Sequence, residues 1–197
     1  MRAAKKEAGA SGARRGMTGA AAKSKRPAKA AGPARRSRTP QTLPEKFDDV
    51  LLALLRAVKA SRSTLRLDDT VGDFDINDVV AEALAPGERS LRGQTSINQR
   101  AAETAQWIER HRRLLVQDDL ANTEPRAPDA LIRLYRVKAQ MLAPIVREGR
   151  LDGWISIHDT KATRRWSKRD QAAILGAVDR VLALLADAGK VKTSSSQ

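Results

Sequence analysis

Cysteine is absent from this 197-residue chain. That excludes disulfides, thiolate metal sites, cysteine nucleophiles and thioether-linked chromophores. Histidine occurs only twice, as His111 and His158, which is a poor supply for a dedicated zinc or haem site. No apolar run approaches the roughly 18 residues that span a bilayer, so no transmembrane helix is expected. What is present is ordinary for a soluble protein: 41% hydrophobic and 30% charged residues.

The net charge of +14 suggests nucleic acid until it is divided along the chain. Residues 1–42 hold twelve Lys or Arg against one acid, Glu7, whereas the remaining 155 residues hold 25 against 22. The basicity therefore belongs to the tail. Met17 is the tail's one large apolar side chain, and glycines and prolines interrupt every stretch of it. Such a segment cannot bury enough apolar area to offset its ordering entropy and is expected to be disordered. Three readings stay open for it. It is a solvated terminus without a role, a targeting segment, or an arm meeting nucleic-acid phosphates through Arg14, Arg15, Lys25, Arg26, Arg35, Arg36 and Arg38. The targeting reading lacks Leu, Ile or Phe for an apolar face. The phosphate reading implies weak, salt-sensitive and non-specific contact, because no aromatic is present to stack on a base.

From residue 43 the pattern becomes that of a folded domain, 43–189, with 190–197 expected to fray. Phe47, Val50, Leu51, Leu54, Leu55 and Val58 draw one helical stripe behind Pro44. Residues 61–69 alternate Thr64 and Arg66 with Leu65 and Leu67, the period of a half-buried strand. Ile76, Val79, Val80, Ala83 and Leu84 fall at helical spacing and predict a second short helix, and residues 90–96 a short strand. Residues 98–112 read as a helix, 113–119 as a strand, and 130–134 as one helical turn. Residues 137–146 and 151–159 form a hairpin turning at Glu148-Gly149. A last helix opens at Ser167, with Asp170 completing a capping box, and is expected to stop at Gly189. This order predicts an α+β domain: a central antiparallel sheet with the first and last helices packed together on one face. No internal repeat is visible.

The stretch MLAPIVREGRLDGWISIHDTKATRRWSKRDQAAILGAVDRVLALL, with residues 61–69 and LLVQDDL before it, resembles the GAF domain family over about 147 residues. The resemblance implies a sensory or dimerising module that binds a small molecule. Several family specialities do not carry over. The bilin-attachment cysteine is missing, the cysteine-dependent free methionine-(R)-sulfoxide reductase chemistry is excluded, and the cyclic-nucleotide constellation is not found. No output domain is recognisable, so signalling is expected through a homodimer or a separate output protein, in the cytoplasm and without a membrane or cofactor.

Strand parity nominates the site. Opposite the helix-covered set stand Thr64 and Arg66 on one strand and Trp154, Ser156 and His158 on another. Gln140 joins them if residues 138, 140 and 142 share that face. An aromatic wall, a few polar groups and a guanidinium suit a small anion, a carboxylate above all. The plainer readings are a wet sheet face, an Arg66 paired on the surface with Asp68, Asp118 or Asp119, and a His158 that merely ends a strand. Two rival functions remain. One is an inert scaffold carrying a nucleic-acid-binding tail, and the other an enzyme that sets Ser156 and His158 beside an acid. Trp107 and Trp166 read as packing residues, and the Asp118-Asp119 pair as structural, since neighbours on a strand point to opposite faces.

Overall fold

The computed structural model describes residues 40–70, 72–94 and 97–194, with side chains to 190. The tail arginines and lysines singled out above lie outside the described residues. The order of elements is α1 (Leu43–Val58), β1 (Arg62–Leu67), β2 (Ala81–Leu84), α2 (Glu103–His111), β3 (Leu115–Gln117), α3 (Asp129–Arg133), β4 (Ala139–Arg147), β5 (Arg150–Asp159) and α4 (Lys168–Ser194). The strands form one antiparallel sheet in the order β2-β1-β5-β4-β3.

Local chemistry sets the boundaries. Thr42 caps α1 in a reciprocal box with Glu45, its backbone N–H donating to Glu45 Oε2 at 2.7 Å. Ser167 does the same for α4, its Oγ accepting from Asp170 N–H at 3.1 Å. Each such cap contributes about 1 kcal/mol. Trp166, immediately before the cap, is buried in the main core. The β4–β5 hairpin turns at Glu148 and Gly149, both at positive φ, as a two-residue turn of matching twist requires.

One face of the sheet carries Leu65, Leu67, Met141, Ile145, Ile155 and Ile157 under α1 and α4, which also pack against each other. This resolves the parity of β4: Ala139, Met141, Ala143 and Ile145 lie beneath the helices, and Gln140 and Leu142 face the other way.

Four expectations are corrected. Residues 76–84 are a loop and then β2, not a helix. Their apolar side chains serve three separate clusters: Ile76 one, Val79 another, and Val80, Ala81 and Ala83 the main core. Backbone pairing of Val80 N–H to Leu65 O at 2.9 Å wins over the coincidental spacing. Residues 90–94 make turns rather than a strand. The strand expected over 113–119 shrinks to Leu115–Gln117, because Asp118 Oδ1 turns to accept the Trp166 N–H and Asp119 closes its own turn. Gly189 does not stop the last helix, which continues to Ser194. No described helix is long and apolar enough to cross a membrane.

Candidate functional site

The second face of the sheet is buried too, and its side chains stand in rows set by register. Arg62 lies across from His158, and His158 across from Gln140, which in turn pairs with Gln117. The next row runs Glu82, Thr64, Ser156, Leu142. Arg66 and Trp154 follow. A roof of α2 and its approach, including Gln99 and Thr104, joins Leu131 of α3 to cover these rows. All six residues nominated by strand parity line one cavity of about 40 Å³. None is more than 5% exposed, so the face is dry rather than wet.

Arg66 is not a surface ion-pair partner. Its Nη1 donates to the carbonyls of Ile76, at 3.4 Å, and Asn77. Asp68 instead pairs with Arg100. Burial pulls the Arg66 guanidinium down to about 10, although Asp78 and Glu82 raise it. It remains a cation at neutral pH, held by dipoles and by carboxylates at a distance.

Arg62 is a functional candidate that the strand-parity reading missed, although it shares the parity of Thr64 and Arg66. It is completely buried. Its Nη2 donates to Arg89 O at 2.6 Å, and Glu82 and Glu88 lie 3.9 and 3.7 Å away. Its guanidinium sits over the Tyr135 ring. Nε and Nη1 have no hydrogen-bond partner among the described residues. Burial lowers its pKa, and Glu82 and then Glu88 oppose that. Glu82, also missed, accepts from Ser90 Oγ at 2.5 Å and Leu91 N–H at 2.8 Å.

His158 is held well below the usual imidazole range, first by burial and then by the fields of Arg62 and Arg66. Its Nδ1 lacks a partner among the described residues. A neutral buried histidine that charges on unfolding has a definite sign. Below the unfolded value the denatured chain binds a proton that the native chain does not, so stability falls as pH falls below about 6.5. Urea unfolding at pH 5.5 should give about 1.4 kcal/mol less stability from this residue than at pH 7.5, and His158→Gln should flatten that difference. An unchanged slope in the variant would contradict the burial argument.

Gln140 is oriented by a relay of amides. The Pro125 carbonyl can only accept, so Gln117 gives it Nε2, at 2.6 Å. That leaves Gln117 Oε1 to receive Gln140 Nε2, also at 2.6 Å. One N–H of Gln140 is thereby committed to Gln117, which fixes the orientation of its amide. Trp107 is a half-buried packing residue stacked on His111. Ser156 and His158 stand two residues apart on β5, without a hydrogen bond between them and without an acid on the imidazole among the described residues.

A family model described as GAF domain matches residues 42–185. No curated protein matches the chain. Among solved structures, the blue-light absorbing form of the PixJ GAF-domain of Thermosynechococcus elongatus is similar at 20% identity. The match covers 78% of this chain and 91% of that one, with a TM-score of 0.62. A domain assigned to a two-component sensor histidine kinase protein of Sinorhizobium meliloti 1021 is similar at 16% identity, 80% and 99% coverage and a TM-score of 0.56. The far-red absorbing dark state of JSC1_58120g3 with bound biliverdin IXa is similar at 17% identity, 75% and 92% coverage and a TM-score of 0.56.

Proposed function

The chain belongs to the GAF domain family, and from that premise we propose a non-catalytic sensor of a compact anion, carboxylate above all, seated between Arg66 and Trp154. The observation that carries this is a cavity on the buried sheet face lined by all of Thr64, Arg66, Gln140, Trp154, Ser156 and His158. Among the described residues no carboxylate forms an ion pair with Arg66, so an anionic guest would complete it, and a guanidinium offers two parallel donors to one.

Size narrows the class. A water needs about 10–15 Å³ of such a volume, so 40 Å³ accommodates roughly three waters, or a ligand of a few heavy atoms. A bilin does not fit: drug-sized ligands occupy about 300–1,000 Å³, and the chain has no cysteine to hold one. Catalysis is disfavoured because, among the described residues, Ser156 and His158 share no hydrogen bond and no group bonds the ring at Nδ1. In this reading, α1 and α4 pass the signal to a second copy or to a separate output protein.

The test is thermal unfolding of the full chain against formate, acetate, nitrate and propionate. A ligand at 100 times its dissociation constant adds about 2.7 kcal/mol, a rise of roughly 5–10 °C for a domain of this size. Arg66→Ala should weaken binding at least about 100-fold and remove that rise. An equal rise in wild type and Arg66→Ala, or no rise with any of these anions, would sink the proposal.

A further inference from the structure

Away from the cavity, we propose that the end of the domain where β1 begins and β5 finishes is a docking face for the phosphate backbone of double-stranded nucleic acid. At this end Asp159 of β5 faces Ala139 of β4, so the segment 160–166 leaves β5 beside the start of β4. Lys138 Nζ donates to Lys161 O at 3.0 Å, and Arg164 Nη2 donates to Val58 O at 3.2 Å, next to Lys59. Lys59, Lys138, Lys161, Arg165, Lys168 and Arg169 thus gather from the end of α1, the approach to β4, the segment itself and the start of α4, and all are exposed. The acids of the same end point inward. The side chains of Glu88, Asp159 and Asp170 are 15%, 12% and 13% exposed, Glu88 lying 3.7 Å from Arg62 and the other two sharing Arg164. Exposed Asp118 spends Oδ1 on the Trp166 N–H. By contrast, the side chains of Lys59, Lys161, Arg165, Lys168 and Arg169 have no partner among the described residues.

What the face lacks selects the partner. Between its cations the segment exposes Ala162 and Thr163 and buries Trp166. Docking on a membrane surface calls for an apolar face to insert, and a protein interface for an aromatic or apolar anchor at its centre. The bases of a single strand call for an aromatic to stack on. Duplex phosphates ask only for cations at fixed places, and affinity then comes from the counterions they release. The places are fixed here. Lys161 N–H donates to Asp159 Oδ1 at 3.0 Å, Arg164 N–H to Asp118 O at 3.1 Å, and Trp166 N–H to Asp118 Oδ1 at 3.1 Å. A segment already tied down loses little further entropy on docking. Contacts of this kind position a duplex without reading its bases, so binding is indifferent to sequence.

The tail carries cations of its own, so the test works by difference in the full chain. Fluorescence anisotropy follows a random-sequence DNA duplex titrated at a series of salt concentrations. Lys161→Gln, Arg165→Gln and Lys168→Gln together should lower the slope of log affinity against log salt by about 2.7, at about 0.9 per phosphate contact, and weaken binding at least about tenfold at low salt. Arg110→Gln, Arg112→Gln and Arg180→Gln together remove the same charge from exposed positions elsewhere and should lower the slope by less than about 1. All six side chains are exposed and without a partner among the described residues, so both variants should unfold at the wild-type urea midpoint. Equal losses in the two variants, or an unchanged slope in the first, overturn the proposal and assign any binding to net charge or to the tail. A wild-type chain that does not bind the duplex overturns it outright. Tighter binding to phosphatidylserine–phosphatidylcholine vesicles or to polyglutamate, lost in the first variant, overturns it in favour of a lipid surface or an acidic protein.

Discussion

Gly153→Ala is expected to destabilise the domain by about 3–5 kcal/mol, a lowering of the unfolding midpoint by roughly 10 °C. Gly153 lies in β5 at φ +157°, between Leu67 of β1 and Ile145 of β4, beside the irregularity at Ile145/Val146. A methyl built there would stand 2.1 Å from the Arg66 carbonyl oxygen and 2.9 Å from Leu67 Cα. Both are backbone atoms of a central strand, so relief requires β1 and β5 to part. Overpacking of this kind has no flexible neighbour to absorb it. The same displacement would carry Arg66 and Trp154, so ligand affinity should fall along with stability. Urea denaturation checks the first effect; a loss below about 1 kcal/mol would mean that the strands can separate cheaply here.

The second large effect concerns the buried charges. Glu82→Ala should cost about 3–5 kcal/mol, because it removes the most deeply buried carboxylate beside the fully buried Arg62 and leaves that guanidinium with Glu88 alone. It also strands the Leu91 N–H and Ser90 hydroxyl that Glu82 accepts from. Arg62→Met should cost distinctly less. It removes a charge that needs a partner and fills similar volume, and Glu82 keeps its two hydrogen bonds. The ordering of the two variants in chemical denaturation is the decisive reading. Arg62→Met as the more damaging of the pair would show that the guanidinium is worth more to the fold than its desolvation costs.

Much of this was legible in the residues, for reasons of period. Leu65 and Leu67 alternate cleanly with Thr64 and Arg66, so one strand revealed both faces. Ile155 and Ile157 did the same for Trp154, Ser156 and His158. Helix ends were readable where a side chain does the capping, as at Thr42 and Ser167. Elsewhere local pattern failed because partners lie far away in sequence. The spacing of Ile76 to Leu84 mimics a helix, but each side chain answers to a different cluster. Gly189 is a poor helix residue by about 1 kcal/mol, a deficit too small to end a helix of 27 residues. Gln117 was hidden in a strand read at more than twice its length, and its role exists only through Gln140, 23 positions on. Gln99 and Thr104 reach the cavity from a roof whose placement no period encodes. Arg62 was one step from being found: the parity that nominated Arg66 extends to it.

The alternation along β1 and β5 has a consequence for how such a protein diversifies. Leu65, Leu67, Ile155 and Ile157 answer to α1 and α4, whereas Thr64, Arg66, Trp154, Ser156 and His158 line the cavity on the other face. A lineage can exchange Thr64, Ser156 or His158, and so change the chemistry of the cavity, without repacking a single leucine under the helices. Changes on the helix side can in turn adjust durability and leave the chemical preference intact. Two histories can be written on one strand, in alternate letters.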